Sequence, residues 1–257
     1  MLLTDKSIVV TGATGIAAAS ALRASREGAR VFVISLVDDD CSNLVDRITD
    51  QGGEAAWASA DLTVESEAES AFGEATTFLG RVDGLFAVAG GSGRPFGDGP
   101  VHEMSLAGWK HTVELNTSPM FLSTRSAVRE MRERGGSVVI VSSVLATRPV
   151  PDLFATHAYA SAKGAANAFV ATLAAYYAKD RIRVNGIAPG LVRTPMSERA
   201  ASDPATVEYA STKQPLAGGF LDPEDIASAA VFLLSDEAAM VTGQVISVDG
   251  GWSVVPA

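Results

Sequence analysis

The sequence has one cysteine, Cys41, so no disulfide can close within the chain and no thiolate pair stands ready to hold a metal. A reducing cytoplasm is the expected setting. Basic residues are also short, with 20 Lys and Arg against 30 Asp and Glu and a formal net charge of −10. That balance offers phosphate backbones and anionic membrane surfaces no long-range attraction, so nucleic-acid and membrane partners are disfavoured and a small molecule is the expected ligand. No apolar run is long enough to cross a bilayer, and residues 1–10 lack the basic start and long apolar stretch of a signal peptide. Histidine is scarce too. His102, His111 and His157 are scattered, each reads as structural, and no metal site is expected; only His157 stands near enough to the helix discussed below to reach a substrate.

What is present is a globular composition, 47% hydrophobic and 19% charged. A chain of 257 residues fits one α/β domain, and no repeat or low-complexity linker divides residues 1–257. Short apolar runs at 8–10, 31–34, 85–88, 138–141, 184–187 and 245–248, with a further one near 55–58, read as buried strands. Segments with helical periodicity lie between them at 16–26, 43–50, 65–78, 106–134, 158–178 and 223–234. This alternation predicts βα units around a parallel sheet. Three irregular stretches, 91–100, 145–156 and 191–218, each follow a predicted strand, where ligands of open α/β sheets bind.

After the first strand, Thr11-Gly12-Ala13-Thr14-Gly15-Ile16-Ala17 makes a glycine turn that opens into a helix. Glycines let backbone approach a pyrophosphate, and the free N–H groups and dipole at a helix start favour its charge. With 24 glycines in the chain such a pair arises readily by chance, and its strand-to-helix context is what lifts it. At the end of the second strand, Ser35 and Leu36 occupy the place where a carboxylate would hold an adenosine ribose. No Arg or Lys stands at Thr14, Ser35 or Leu36 to pair with a 2′-phosphate, and Asp38, Asp39 and Asp40 would repel one, which favours NAD over NADP. These aspartates themselves read as a solvated loop or a cap for a helix beginning near Ser42.

Tyr159 and Lys163 are spaced i to i+4 in a segment of small residues, which puts both on one helix face. A neighbouring ammonium lowers the pKa of a phenol from its usual value near 10, giving a proton donor and acceptor useful at neutral pH. Upstream, residues 137–143 read as a buried strand ending in the hydroxyls of Ser142 and Ser143; downstream, residues 183–190 form a strand running into Pro189-Gly190, with Thr194 following.

These motifs, together with Asp61-Leu62, Ala89-Gly90, Asn116 and the C-terminal Val248-Asp249-Gly250-Gly251, occur in the order found in the short-chain dehydrogenase/reductase family, which the chain resembles from Ser7 to Gly251. The resemblance implies a doubly wound, three-layer Rossmann fold and an oxidoreductase that moves a hydride between NAD or NADP and a small secondary alcohol or ketone. It implies a tetrad in which Ser143 hydrogen-bonds the substrate oxygen, Tyr159 transfers its proton, Lys163 tunes Tyr159 and holds the nicotinamide ribose, and Asn116 orders a water. The cofactor contacts it implies are Gly12, Thr14, Gly15 and Ile16 at the turn, Ser35 and Leu36 after the second strand, and Asp61 and Leu62 beside the adenine. Ala89, Gly90, Tyr159 and Lys163 follow, with Pro189, Gly190, Val192 and Thr194 near the nicotinamide. A homotetramer built on the helices 106–134 and 158–178 and the C-terminal segment is also implied.

The chain departs from the family pattern in three places. The glycine turn is one residue short, with Ala17 at its last glycine position, so a re-routed backbone and weaker cofactor binding are expected. Ala87-Val88 replaces a pair of asparagines, and apolar packing is expected to take over their bracing of the central strands. The stretch from Ser143 to Tyr159 is longer than usual, leaving room for a reshaped substrate loop. Pro119 is expected to disturb the helix carrying Asn116. Val144, Leu145, Val150, Leu153 and Phe154 suggest a largely apolar substrate, while Arg94, Arg148 and Arg193 offer an alternative carboxylate partner. Two other readings keep the same fold: a lyase or epimerase using the Tyr159/Lys163 pair, and a nucleotide-binding homologue without turnover.

Overall fold

The computed structural model describes residues 1–256. Seven strands run through it: Ser7–Thr11 (β1), Arg30–Ser35 (β2), Ala55–Ser59 (β3), Gly84–Ala87 (β4), Gly136–Val141 (β5), Ile182–Pro189 (β6) and Val245–Val248 (β7). All pair in parallel in the order β3-β2-β1-β4-β5-β6-β7. Helices connect them at Gly15–Arg26 (α1), Asp38–Thr49 (α2), Glu65–Leu79 (α3), Leu106–Met131 (α4), His157–Tyr177 (α5), Glu198–Ala201 (α6), Pro204–Lys213 (α7) and Pro223–Leu234 (α8).

The strands are β-branched and apolar because both faces of the sheet are covered. In β1, Ile8 and Val10 pack with α1, α2 and α8, whereas Val9 between them packs with α3, α4 and α5. This period-two division repeats at Val31, Val33 against Phe32, Ile34 and at Val139, Val141 against Val138, Ile140, producing two cores and three layers. Local chemistry sets several helix ends. Ser105 Oγ accepts from Gly108 N at 3.0 Å at the start of α4, and Pro223 fills the first turn of α8. Gly80 closes α3 at φ +72°.

Two expectations need correction and a third is narrowed. Asp38, Asp39 and Asp40 form the first turn of α2 instead of a loop before it, where their charges complement the helix dipole. Residues 191–218 are not irregular throughout: they contain α6 and α7, and the start of α7 is set by Asp203 and Pro204. The disturbance expected at Pro119 is confined to one freed carbonyl, and α4 continues to Met131. A proline deprives only the carbonyl four residues earlier, here that of Leu115, and the packing of α4 against α3 and α5 carries the helix through.

Candidate active site

The strand order reverses between β1 and β4, and the loops leaving the carboxyl ends of these two strands part there. They enclose a cavity of about 580 Å³. Every residue expected above to act in catalysis or to hold a cofactor lies on its wall: Gly12, Thr14, Gly15, Ile16, Ser35, Leu36, Asp61, Leu62, Ala89, Gly90, Asn116, Ser143, Tyr159, Lys163, Pro189, Gly190, Val192 and Thr194.

The floor at one end is the glycine turn. Gly12 donates its N–H to Ile34 O at 2.7 Å with φ +97°, a conformation that L side chains avoid. Gly15, at φ +52°, begins α1 and faces Thr194: a Cβ placed on it would stand 2.9 Å from Thr194 Cγ2. The start of α1 thus lies against the loop after β6. No side chain caps α1 and no acid occupies its first turn, so its N-terminal amides and dipole are available to an anion. This end fits a dinucleotide pyrophosphate. Beside it, Asp61 Oδ1 accepts from Thr63 N (2.8 Å) and Thr63 Oγ1 (2.6 Å), fixing the turn after β3.

At the other end, α5 presents Tyr159 and Lys163 toward the last residues of β5. Lys163 is buried, and its Nζ donates to Val141 O at 2.9 Å while lying 5.7 Å from the centre of the Tyr159 ring. Burial pushes the Lys163 ammonium down to about 8. Burial also pushes the Tyr159 phenol up to about 12, with the Ser143 hydroxyl pulling weakly the other way. The expectation that Lys163 would depress the phenol is therefore not met: desolvation outweighs any help from an ammonium that is itself held by a backbone carbonyl. Ser143 Oγ also accepts from Leu145 N at 3.2 Å, which ties it to the 3-10 turn at Val144–Ala146.

Asn116 is buried in α4. Its amide nitrogen donates to Thr112 O (2.9 Å) and Gly91 O (3.0 Å), and its Oδ1 accepts from Gly91 N (3.3 Å). It therefore joins α4 to the loop after β4. The bracing of the central strands is polar, contrary to expectation: Thr11 Oγ1 accepts from both Val88 N (3.0 Å) and Ala89 N (3.1 Å). A single hydroxyl on β1 serves where side-chain amides on β4 were missing.

Sequence reasoning missed three further residues. Asp98 is buried, and its two oxygens accept from Ala158 N (2.9 Å) and Tyr159 N (3.0 Å), so a loop 60 residues upstream caps the helix bearing Tyr159. Gln214, fully buried, accepts from Leu191 N (2.7 Å) and donates to Leu191 O (3.1 Å) and Gly219 O (2.6 Å), which holds the loop after β6 in place. Trp252 lines the cavity with Val144, Leu145 and Phe154. Val150 and Leu153 pack behind them instead of facing the cavity. His157 turns its Nδ1 to Gly99 O at 2.8 Å and does not line the cavity. Arg148 and Arg193 point elsewhere, the first to Thr147 O and Ser253 O and the second to Asp222 at 3.5 Å, but Arg94 is on the wall.

Among the described residues no cluster of three or more His, Cys, Asp or Glu side chains is placed to hold a metal, and no helix is long and apolar enough to cross a membrane.

The chain is similar over nearly its whole length to known proteins. A family profile described as enoyl-(acyl carrier protein) reductase matches residues 10–253. The chain is 34% identical over 258 residues to a 2,5-dichloro-2,5-cyclohexadiene-1,4-diol dehydrogenase of Sphingobium indicum, covering 98% of this chain and 99% of that protein. It is 34% identical over 254 residues to a cis-4-hydroxycyclohexanecarboxylate dehydrogenase of Sinomonas cyclohexanicum, covering 98% of each. A solved short-chain type dehydrogenase/reductase from Mycobacterium ulcerans superposes with a TM-score of 0.92 at 31% identity, covering 100% of this chain and 93% of that one. The family profile, the relatives and the superposed structure show that the chain belongs to the short-chain dehydrogenase/reductase family, as a nicotinamide-dependent oxidoreductase.

Proposed function

We propose that this protein oxidises a secondary alcohol borne on a small ring, or reduces the corresponding ketone, with NAD as its hydride partner. The observation that carries the reading is the placement of Tyr159, Lys163 and Ser143 at one end of a cavity whose other end is the uncapped start of α1. The nicotinamide, when bound, supplies or takes the hydride. In the reducing direction Ser143 donates a hydrogen bond to the carbonyl oxygen, and Tyr159 gives that oxygen the proton that completes the alcohol. In the oxidising direction the same proton returns to Tyr159. Lys163, which donates to Val141 O, would hold the nicotinamide ribose and stabilise the phenolate, offsetting the desolvation that raises Tyr159. Asn116, already tied to Gly91, positions the water through which Lys163 exchanges its proton with solvent.

The apolar wall of Val144, Leu145, Phe154 and Trp252 supports a compact hydrocarbon ring, in keeping with the cyclic substrates named for two relatives. The preference for NAD is supported by the acidic first turn of α2 and by the lack of an Arg or Lys at Thr14, Ser35 or Leu36. A homotetramer built on α4, α5 and the C-terminal segment is supported by the exposure of Phe121, Tyr176 and Val254, and light scattering that finds a monomer would exclude it.

The test is turnover of cyclohexanol-type alcohols with NAD, read by the near-ultraviolet absorbance of the reduced nicotinamide. Wild type should reduce one NAD per alcohol oxidised, and Tyr159→Phe should lose at least about 100-fold in kcat. Full activity in Tyr159→Phe sinks the assignment of the proton donor, and turnover without net nicotinamide reduction sinks the dehydrogenase reading.

A further inference from the structure

The apolar wall ends in two arginines that form no ion pair among the described residues. Arg94, in the loop after β4, and Arg199, on α6, line the same cavity. Asp98 and Asp203 lie within electrostatic reach of Arg94 and Arg199 respectively, but the oxygens of both are turned to other donors. Both oxygens of Asp98 are held by the amides that start α5, and Asp203 caps α7 through Thr206 Oγ1 at 2.5 Å and the amides of Ala205 and Thr206.

The two guanidiniums belong to one end of the cavity. Arg94 Nη2 donates to Leu153 O at 3.1 Å, and the next residue, Phe154, packs in the cluster that includes Ala200, the neighbour of Arg199. Arg94 thus borders Leu153 and Phe154, and α6, which carries Arg199, packs Ala200 in the same cluster as Phe154, whereas the acidic side chain on the wall, Asp61, sits by the turn after β3. Arg94 is partly buried, and burial followed by the charge of Arg199 holds its pKa below the usual arginine value, with Asp98 pulling the other way. The mutual repulsion of two cations in such a setting is relieved by an anion between them.

We infer that Arg94 and Arg199 form an anion subsite for the substrate, so that the ring alcohol or ketone this protein takes carries a carboxylate. The inference rests on the dehydrogenase reading above for the word substrate, but the subsite itself is a matter of binding. Two guanidiniums suit a carboxylate because each presents parallel N–H donors to its oxygens. The hydroxyl-bearing carbon would lie toward Ser143 and Tyr159, with the ring spanning the apolar wall between.

Calorimetric titration of the purified protein with cyclohexanecarboxylate and with the neutral, similarly shaped cyclohexanecarboxamide tests this without turnover. Wild type should bind the carboxylate at least about tenfold more tightly, a preference that Arg199→Gln and Arg94→Gln each reduce and the double variant abolishes. Arg199 is exposed, so its variant stays folded even if loss of the Leu153 contact disturbs the other. Equal affinity for the two probes, no binding of either, or a preference that survives the double substitution overturns the proposal. A parallel titration with NAD separates the other source of negative charge: affinity for NAD should be unchanged, and variants that lose NAD while keeping the carboxylate preference assign the arginines to the cofactor phosphates and overturn it too. Failure of the dehydrogenase reading shows separately, as a missing nicotinamide signal beside an intact carboxylate preference.

Discussion

Replacing Lys163 with methionine should make the protein more stable at neutral pH while ending its activity, and the stability gain should fade as the solution becomes alkaline. Lys163 is buried with its ammonium against a single carbonyl, and its pKa falls from 10.5 to about 8. Since the folded-state value lies below the unfolded one, the unfolded chain holds more protons between pH 8 and 10.5, and stability rises with pH across that window. The charged form costs about 3 kcal/mol below pH 8, and about 2 kcal/mol of that is recovered between about pH 7 and 9.5. Methionine has similar length and does not titrate. Tyr159 is present in both proteins, so its own ionisation largely drops out of the difference. Urea unfolding followed by circular dichroism, on wild type and Lys163→Met at several pH values, gives the two curves. Wild type should gain on the variant by about 2 kcal/mol from about pH 7 to 9.5. A constant difference, or a wild type that loses ground as pH rises, refutes the claim that Lys163 is a desolvated ammonium.

Thr11→Val removes the one acceptor shared by Val88 N and Ala89 N and should destabilise the protein by about 1–3 kcal/mol, measured as a lower urea midpoint at unchanged slope. Asp98→Ala should cost about 1–2 kcal/mol as a lost helix cap and should lower kcat with little change in the KM for NAD, because the residue positions Tyr159 without touching the glycine turn; a shift confined to KM would contradict this. Gly15→Ala places a methyl group 2.9 Å from Thr194 Cγ2 at a positive φ and should weaken NAD binding by at least about tenfold in a fluorescence titration, whereas unaltered binding would show that the start of α1 does not serve the cofactor.

The sheet was legible because its strands are short apolar runs with both faces buried, and the helices between them carry their own periodicity. Tyr159, Lys163 and Ser143 were legible because a helix turn and a strand end fix their spacing locally. Asp98 was not: it acts on Tyr159 across 61 residues, and nothing near it in sequence marks it as a cap. Gln214 and Thr11 were hidden for the same reason, since each bonds backbone from another part of the chain. Arg199 lay in a stretch read as irregular, and only the folding of α6 against the cavity brings it near Arg94. The pKa of Tyr159 was misread because helical spacing predicts the neighbour but not the desolvation.

The most direct test of the central claim, that the loops at the carboxyl ends of β1 and β4 hold a nicotinamide dinucleotide, is a calorimetric titration of the purified protein with NAD and with NADP. Saturable binding at one site per chain, tighter for NAD, is the expected result. Binding of neither dinucleotide would contradict the account outright.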